Sequence, residues 1–244
     1  MPTFDMIAFD ADDTLWDNEH LYVEAQDKFK QLLARYLPPE GIEGRLYETE
    51  IRNLQQFGYG IKSFALNMIE SAIELTDGRV QAREIQSLLD LAKAMLGAEV
   101  RLRDHVADTL ARLATSHTLM LMTKGDLYDQ EAKIARSGIA SYFTHIQIVS
   151  SKSPEAYQDL LIKLQVAPSR FLMVGNSLRS DILPVLAIGG CAVYIPHPLT
   201  WAHEVADPPS TGQPGYFQLE HFGQLPDLLE RLSRVVSEEM PGKS

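Results

Sequence analysis

Apolar residues recur along this chain with two different periods, and the change between them divides it. Phe4-Asp5-Met6-Ile7-Ala8-Phe9 is a short, nearly continuous apolar run that predicts a buried strand. Beyond it, apolar positions recur at helical spacing: Phe29, Leu32, Leu33 and Tyr36, then Ile61, Phe64, Ala65, Met68, Ile69 and Ala72, then Ile85, Leu88, Leu89 and Ala92. Amphipathic helices of this kind bury their stripes on one another. Pro38-Pro39 with Gly41 ends the first, Gly58-Tyr59-Gly60 separates an intermediate segment from the next, Asp77-Gly78 closes that one, and Gly97 stops the last. From about Asp104 the pattern becomes helices alternating with short apolar runs, at Thr118 to Met122, His145 to Val149, Phe171 to Val174 and Ala192 to Ile195.

This order predicts an α/β protein with a Rossmann-like parallel sheet core, residues 1–16 and 104–244, and an all-helical cap inserted at 17–103. The links Asp17 to His20 and Glu99 to Arg103 are expected to act as paired hinges for a cap that opens and closes. Pro196 to Pro214, with His197, Trp201, His203 and Gly212, is expected to form a long surface loop whose histidines have no metal-ligand spacing.

Composition narrows the partners. A formal charge of -11 argues against a general nucleic-acid or anionic-membrane binder, so a small molecule is expected, bound by a monomer or a homodimer. The single cysteine, Cys191, excludes an internal disulfide and fits core packing in a reducing compartment. The first strand begins without a basic-plus-apolar leader and no segment approaches a membrane span, so a cytoplasmic setting is expected.

The candidate chemistry gathers where apolar runs end. Phe9-Asp10-Ala11-Asp12-Asp13-Thr14-Leu15 follows the first strand, where open parallel sheets place their ligand crevices. Asp10 is placed to attack phosphorus, and Asp12 to donate a proton to the leaving group and later accept one from water. After the second run, Thr123-Lys124-Gly125 offers a hydroxyl, a cation and backbone N–H groups to a phosphoryl oxygen. Lys152 precedes a helix expected from Pro154, where its charge would stabilise both the phosphate and Asp10. Phe171 to Val174 runs into Gly175-Asn176-Ser177-Leu178-Arg179-Ser180-Asp181. The side chains of Asn176 and Asp181, with Asp10 and the carbonyl of Asp12, make a hard-oxygen set suited to Mg²⁺.

These four segments, taken in order from Phe4 to about Ile195, resemble the haloacid dehalogenase-like hydrolase superfamily, and in particular its phosphatases with a helical cap. The resemblance implies Asp10 as nucleophile, Asp12 as acid/base, Thr123 and Lys152 as phosphate clamps, and Asn176 with Asp181 at the metal. Asp13 stands where many relatives have Gly, Lys124 where Asn is frequent, and Asn176 where an acid is usual. The function expected is a Mg²⁺-dependent phosphatase acting on a small phosphorylated metabolite through an aspartyl-phosphate. A phosphomutase, a dehalogenase, a phosphonatase using Lys62, and a non-catalytic binder of phosphate ligands are the alternatives.

Overall fold

A computed structural model of the chain describes residues 4–210 and 212–238. Of the expected core span, residues 1–3, 211 and 239–244 lie outside the described residues. Strands β1 (Met6–Phe9), β2 (Leu119–Lys124), β3 (His145–Val149), β4 (Phe171–Gly175), β5 (Cys191–Tyr194) and β6 (Tyr216–Gln218) form one sheet in the order β3-β2-β1-β4-β5-β6. The pairings of β1 with β2 and β4, of β4 with β5, and of β5 with β6 are all parallel. The expected α/β class is the one observed, with a six-stranded parallel sheet flanked by helices. The apolar runs explain it: β1 and β4 are buried along their whole length, as strands covered on both faces must be.

The chain divides into two compact units, one of Met1–Asp17, Arg101–Thr123 and Ser137–Ser244, the other of Asn18–Val100 and Lys124–Arg136. In the sheet unit, Met6, Ala8, Met120, Met173 and Ala192 pack with Tyr157, Leu161 and Ile182. On Phe9, Phe143 and Phe222 close in with ring centroids at 6.2 and 5.6 Å. The chain leaves and re-enters this unit on adjacent backbones, since Asp17 N–H donates to Arg101 O at 3.1 Å and Arg103 N–H to Leu15 O at 2.9 Å.

The other unit holds helices α1 (Glu19–Leu33), α2 (Ile42–Phe57), α3 (Ile61–Leu75) and α4 (Ala82–Leu96), and Phe29, Leu33, Ile42, Leu46, Ile61, Met68 and Leu88 form its core. Glu84 accepts from the Gln81 N–H at 2.8 Å and so closes the start of α4. This unit ends at Val100 and takes in Lys124–Arg136, whereas the sequence pattern placed the helical segment at 17–103. Side-chain contacts account for the addition. Arg136 donates to the carbonyls of Ala98 and Leu96 at 3.0 and 3.1 Å, capping the end of α4, and Lys62 pairs with Asp126 at 2.8 Å.

Strand β6 has no counterpart in the sequence reading, because three residues carry too little alternation to be seen. Cys191 is half-buried and burial raises its thiol above the ordinary range, in keeping with packing. Among the described residues no helix is long and apolar enough to cross a membrane. Met173, fully buried in the central strand β4, gives a direct test of this core. Met173→Ala should lower the unfolding free energy of the sheet unit by about 2–5 kcal/mol, read as a fall in urea midpoint.

Candidate active site

The carboxyl ends of β1 and β4 meet at one point. Register pairs Phe9 with Val174, and the Asp10 N–H donates to Val174 O at 2.9 Å, so Asp10 leaves β1 where Gly175 leaves β4. Asp10, Lys152 and Asp181 are all buried, and the Lys152 ammonium donates to Asp10 Oδ1 at 2.5 Å and to Asp181 Oδ1 at 2.7 Å. Lys152 is delivered by the end of β3 just ahead of the helix Pro154–Leu164, which Ser153 caps by accepting from the Ala156 N–H.

A glycine makes this approach possible. A Cβ on Gly175 would collide with the Asp181 carboxylate, so only a bare backbone lets Asp181 turn back to Lys152. A π-helical turn, Leu178–Ile182, swings Asp181 into place, and its Oδ2 accepts from the Ser177 N–H at 3.0 Å. Asp181 therefore has both oxygens engaged by protein donors, Lys152 among them. A second group of oxygens converges elsewhere.

They lie around Asn176. Its amide edge is 3.0 Å from Thr14 Oγ1 and 3.3 Å from both Asp10 Oδ2 and the Asp12 carbonyl. With the NH₂ turned inward it donates to these atoms. With Oδ1 inward, three acceptor oxygens gather with Thr14 as their hydroxyl donor, a set that fits a hard divalent cation. Thr14 Oγ1 also lies 3.2 Å from Asp10 Oδ2.

The Asp12 side chain has a separate environment. Trp16 Nε1 donates to Asp12 Oδ1 at 2.7 Å, and the loop between them is a tight turn in which Leu15 N–H reaches Ala11 O at 2.8 Å and Asp13 N–H reaches Trp16 O at 2.7 Å. Asp13 sits at φ +62°, a left-handed conformation in which Gly is at ease, and the Arg103 guanidinium donates to its carbonyl.

Charges at the Asp10 cluster do not balance, and the titration behaviour reflects it. Burial pushes the Asp10 carboxyl up to about 7 against the opposing pull of Lys152, and the charges of Asp181 and Asp12 add to the rise. Burial alone would lower Lys152, but Asp10 and Asp181 outweigh it and hold the ammonium well above the usual lysine range.

Thr123 is buried two residues beyond Leu121, the β2 partner of Phe9, and so stands at the same end of the sheet as Asp10. Lys124 and Gly125 belong to the helical unit, where Lys124 Nζ lies 4.2 Å from the Tyr59 ring centroid and Gly125 takes φ +144°. Lys62 is paired with Asp126, and Arg52 with Glu70 and Glu74. Trp16, Thr14 and Glu204 have no role in the sequence reading. Glu204 accepts from both Ser177 and Ser180 hydroxyls at 2.5 Å and steadies the turn that carries Asp181. Thr14 was legible as part of the acidic motif, whereas nothing in the Pro-rich segment marks Glu204.

Comparison with known proteins identifies the family. The haloacid dehalogenase-like hydrolase family matches residues 4–189, and the chain belongs to that family. A haloacid dehalogenase-like family hydrolase from Xanthomonas campestris is similar at TM-score 0.87 and 36% identity, covering 98% of this chain and 95% of that one. A 2-haloacid dehalogenase from Pseudomonas syringae pv. Tomato DC3000 is similar at TM-score 0.62 and 25% identity, over 93% and 99% of the two chains. A predicted phosphoglycolate phosphatase from Haemophilus somnus 129pt shares the fold at TM-score 0.61 and 19% identity, again over 93% and 99%. No curated protein matches the chain in sequence. The family makes the chain a hydrolase.

The Gly175 contact yields a test that holds for any substrate of this site. Gly175→Ala should displace the Asp181 carboxylate, loosen Lys152 and reduce turnover by roughly 10²-fold. Undiminished turnover, with Asp181 unmoved in a crystal structure of the variant, would show that the close approach is dispensable.

Proposed function

We propose that this hydrolase is a Mg²⁺-dependent phosphatase that cleaves a small phosphorylated metabolite through an aspartyl-phosphate on Asp10. The observation that supports this reading is the gathering of Asp10 Oδ2, the Asp12 carbonyl and the Asn176 amide edge, with 3.3 Å between that edge and each of the two oxygens. Hard oxygens beside an excess of buried negative charge are what Mg²⁺ binds in phosphoryl chemistry. When bound, the ion would neutralise charge on the nucleophile and on the phosphoryl oxygens.

The side chains divide the remaining work. Lys152 orients Asp10 through Oδ1 and offers its charge to the incoming phosphoryl group. Asp10 attacks phosphorus as the ester bond breaks, and Asp12 supplies the proton that the leaving alkoxide takes. The bond from Trp16 Nε1 to Asp12 Oδ1 holds this carboxyl group in one orientation. Asp12 then accepts a proton from water as it attacks the phosphoryl-aspartate, releasing inorganic phosphate and restoring Asp10. Thr123, in the same unit as Asp10, is proposed to contact the phosphoryl oxygens. Asp181 serves the metal end through Lys152 and the turn that carries Asn176. A small anion fits the chain's -11 net charge better than a polyanion, because one lysine and one ion can reverse the local field.

The likeness to a 2-haloacid dehalogenase favours a second reading, in which Asp10 displaces halide from carbon. That reaction leaves a held acid at Asp12 and the oxygen set at Asn176 without a purpose, which is why the phosphatase reading is preferred. The two are separated by one assay. The protein should release inorganic phosphate from p-nitrophenyl phosphate or a metabolite panel with Mg²⁺ and stop with chelator. Asp10→Asn should abolish release, and Asp12→Asn should lower it by about 10²- to 10⁴-fold. Chelator-resistant halide release from 2-haloacids, with no phosphate release, would assign the dehalogenase instead.

The raised Asp10 carboxyl adds a pH dependence. Below about 7 Asp10 holds a proton that a cation must displace, so Mg²⁺ affinity should fall about tenfold per pH unit below that point and level off above it. Calorimetric titration with Mg²⁺ between about pH 5.5 and 8 measures this, and a flat profile would show that the ion does not bind at Asp10.

A further inference from the structure

Glu204 meets the turn that carries Asp181 from a different part of the chain. It closes a short 3₁₀ segment, Ala202–Glu204, in the loop after β5, and lies outside residues 4–189, the span matched by the family. It belongs to the same unit as Asp10, Lys152 and Asp181.

The turn itself has an uncommon backbone. The Ser177 carbonyl accepts from both the Asp181 and the Ile182 N–H, at 2.9 and 3.2 Å, and the Leu183 N–H reaches back to Leu178 O. Such π-type turns are rare and gather at functional sites. Ser177 opens this one as a cap, with its Oγ accepting from the Ser180 N–H at 2.9 Å. A serine hydroxyl has one proton and two lone pairs, so the cap needs a lone pair facing that N–H and the proton turned away. Glu204 Oε2 takes the Ser177 proton, and the Ser180 hydroxyl proton as well, each at 2.5 Å. One carboxylate oxygen therefore orients the hydroxyls at both ends of the cap, and hydrogen bonds to an ionised acceptor are the stronger kind.

Two more bonds meet the same turn. The buried Tyr157 hydroxyl donates to the Ser180 carbonyl at 3.1 Å, and Arg179 donates to the carbonyl of His203, next to Glu204, at 3.0 Å. What the clasp holds is the reacting centre. The Ser177 N–H donates to Asp181 Oδ2 at 3.0 Å while Asp181 Oδ1 meets Lys152, and Ser177 directly follows Asn176 in the chain.

We propose that Glu204 is a positioning residue of this active site, setting Asp181 and, through it, Lys152 by its hold on Ser177 and Ser180. The two serines carry its effect to the centre. The proposal rests on the reading of Asp10 as the attacking group beside Lys152 and Asp181, which the phosphatase and dehalogenase readings share.

Glu204→Ala, Glu204→Gln and Ser180→Ala in the full chain provide the test, with p-nitrophenyl phosphate and Mg²⁺ as the first assay. Glu204→Ala should lower kcat by about 10- to 10²-fold with KM held within about twofold, because it misplaces the reacting groups and leaves substrate contacts in place. Glu204→Gln keeps an acceptor oxygen and should recover most of that loss, and Ser180→Ala, which removes one of the two hydroxyls, should fall between. Crystal structures should show the Asp181–Lys152 contact lengthened in Glu204→Ala and kept in Glu204→Gln. A lower urea midpoint in Glu204→Ala, with kcat and the Asp181–Lys152 contact unchanged, would reduce Glu204 to a contributor to stability and overturn the proposal. A loss in Glu204→Gln as large as in Glu204→Ala, with Asp181 unmoved, would make the role one of charge and overturn it too. Release of halide in place of phosphate would sink the phosphatase reading alone, and the same kcat comparison then applies to that reaction. If the wild-type protein releases neither, the reading of the centre fails, and the crystal structures still decide whether Glu204 places Asp181.

Discussion

The Lys152 ammonium lies buried between Asp10 and Asp181, at 2.5 and 2.7 Å, and the site is arranged around that contact. A buried charge of this kind is tolerable only with close, well-aligned partners, and removing either carboxylate would leave it poorly compensated. Its geometry draws on three strands at once: β3 supplies the lysine, β1 the first aspartate, and β4 a glycine followed by the turn that returns the second. Two carboxylates against one ammonium leave an excess of negative charge in a low-dielectric setting. Burial raises the Asp10 carboxyl, and the charges of Asp181 and Asp12 add to the rise.

The turn from Ala11 to Trp16 is the second constraint. Asp13 at φ +62° costs on the order of 1 kcal/mol or more, a strain the surroundings must hold in place. The Trp16 carbonyl, the Arg103 guanidinium and the fully buried Trp16 ring do so, and the same tryptophan fixes Asp12 through its indole N–H. Strain and the placement of the Asp12 carboxylate therefore reside in one short loop. A glycine at position 13 would relieve the strain but remove a carboxylate that faces His197.

Much of this architecture was legible beforehand. The strands β1, β2, β3, β4 and β5 are apolar runs bounded by turn residues, and burial on both faces is what makes such runs stand out. The four helices between β1 and β2 follow from repeating apolar stripes with Gly or Pro at their ends. Asp10, Asp12, Lys152 and Asn176 were legible because each sits within three residues of the end of an apolar run. Trp16 was not, since a tryptophan in an apolar setting looks like core until its indole N–H is seen to meet a carboxylate. His197 and Glu204 were hidden in a Pro-rich segment with no periodicity, and their partners lie on remote parts of the chain.

Local sequence, then, determined the elements, their order, and the residue types that end each strand, because hydrophobic period and turn chemistry act over a few residues. The tertiary structure alone decided which oxygens meet. It turned Asp181 onto Lys152 past a missing Cβ, set the Asn176 amide edge against Asp10 and Asp12, moved Lys124–Arg136 to the helical unit, and aimed His197 at two carboxylates. Those outcomes depend on register across parallel strands and on turns tens of residues apart, and such distances leave no mark in the spacing of residues along a chain.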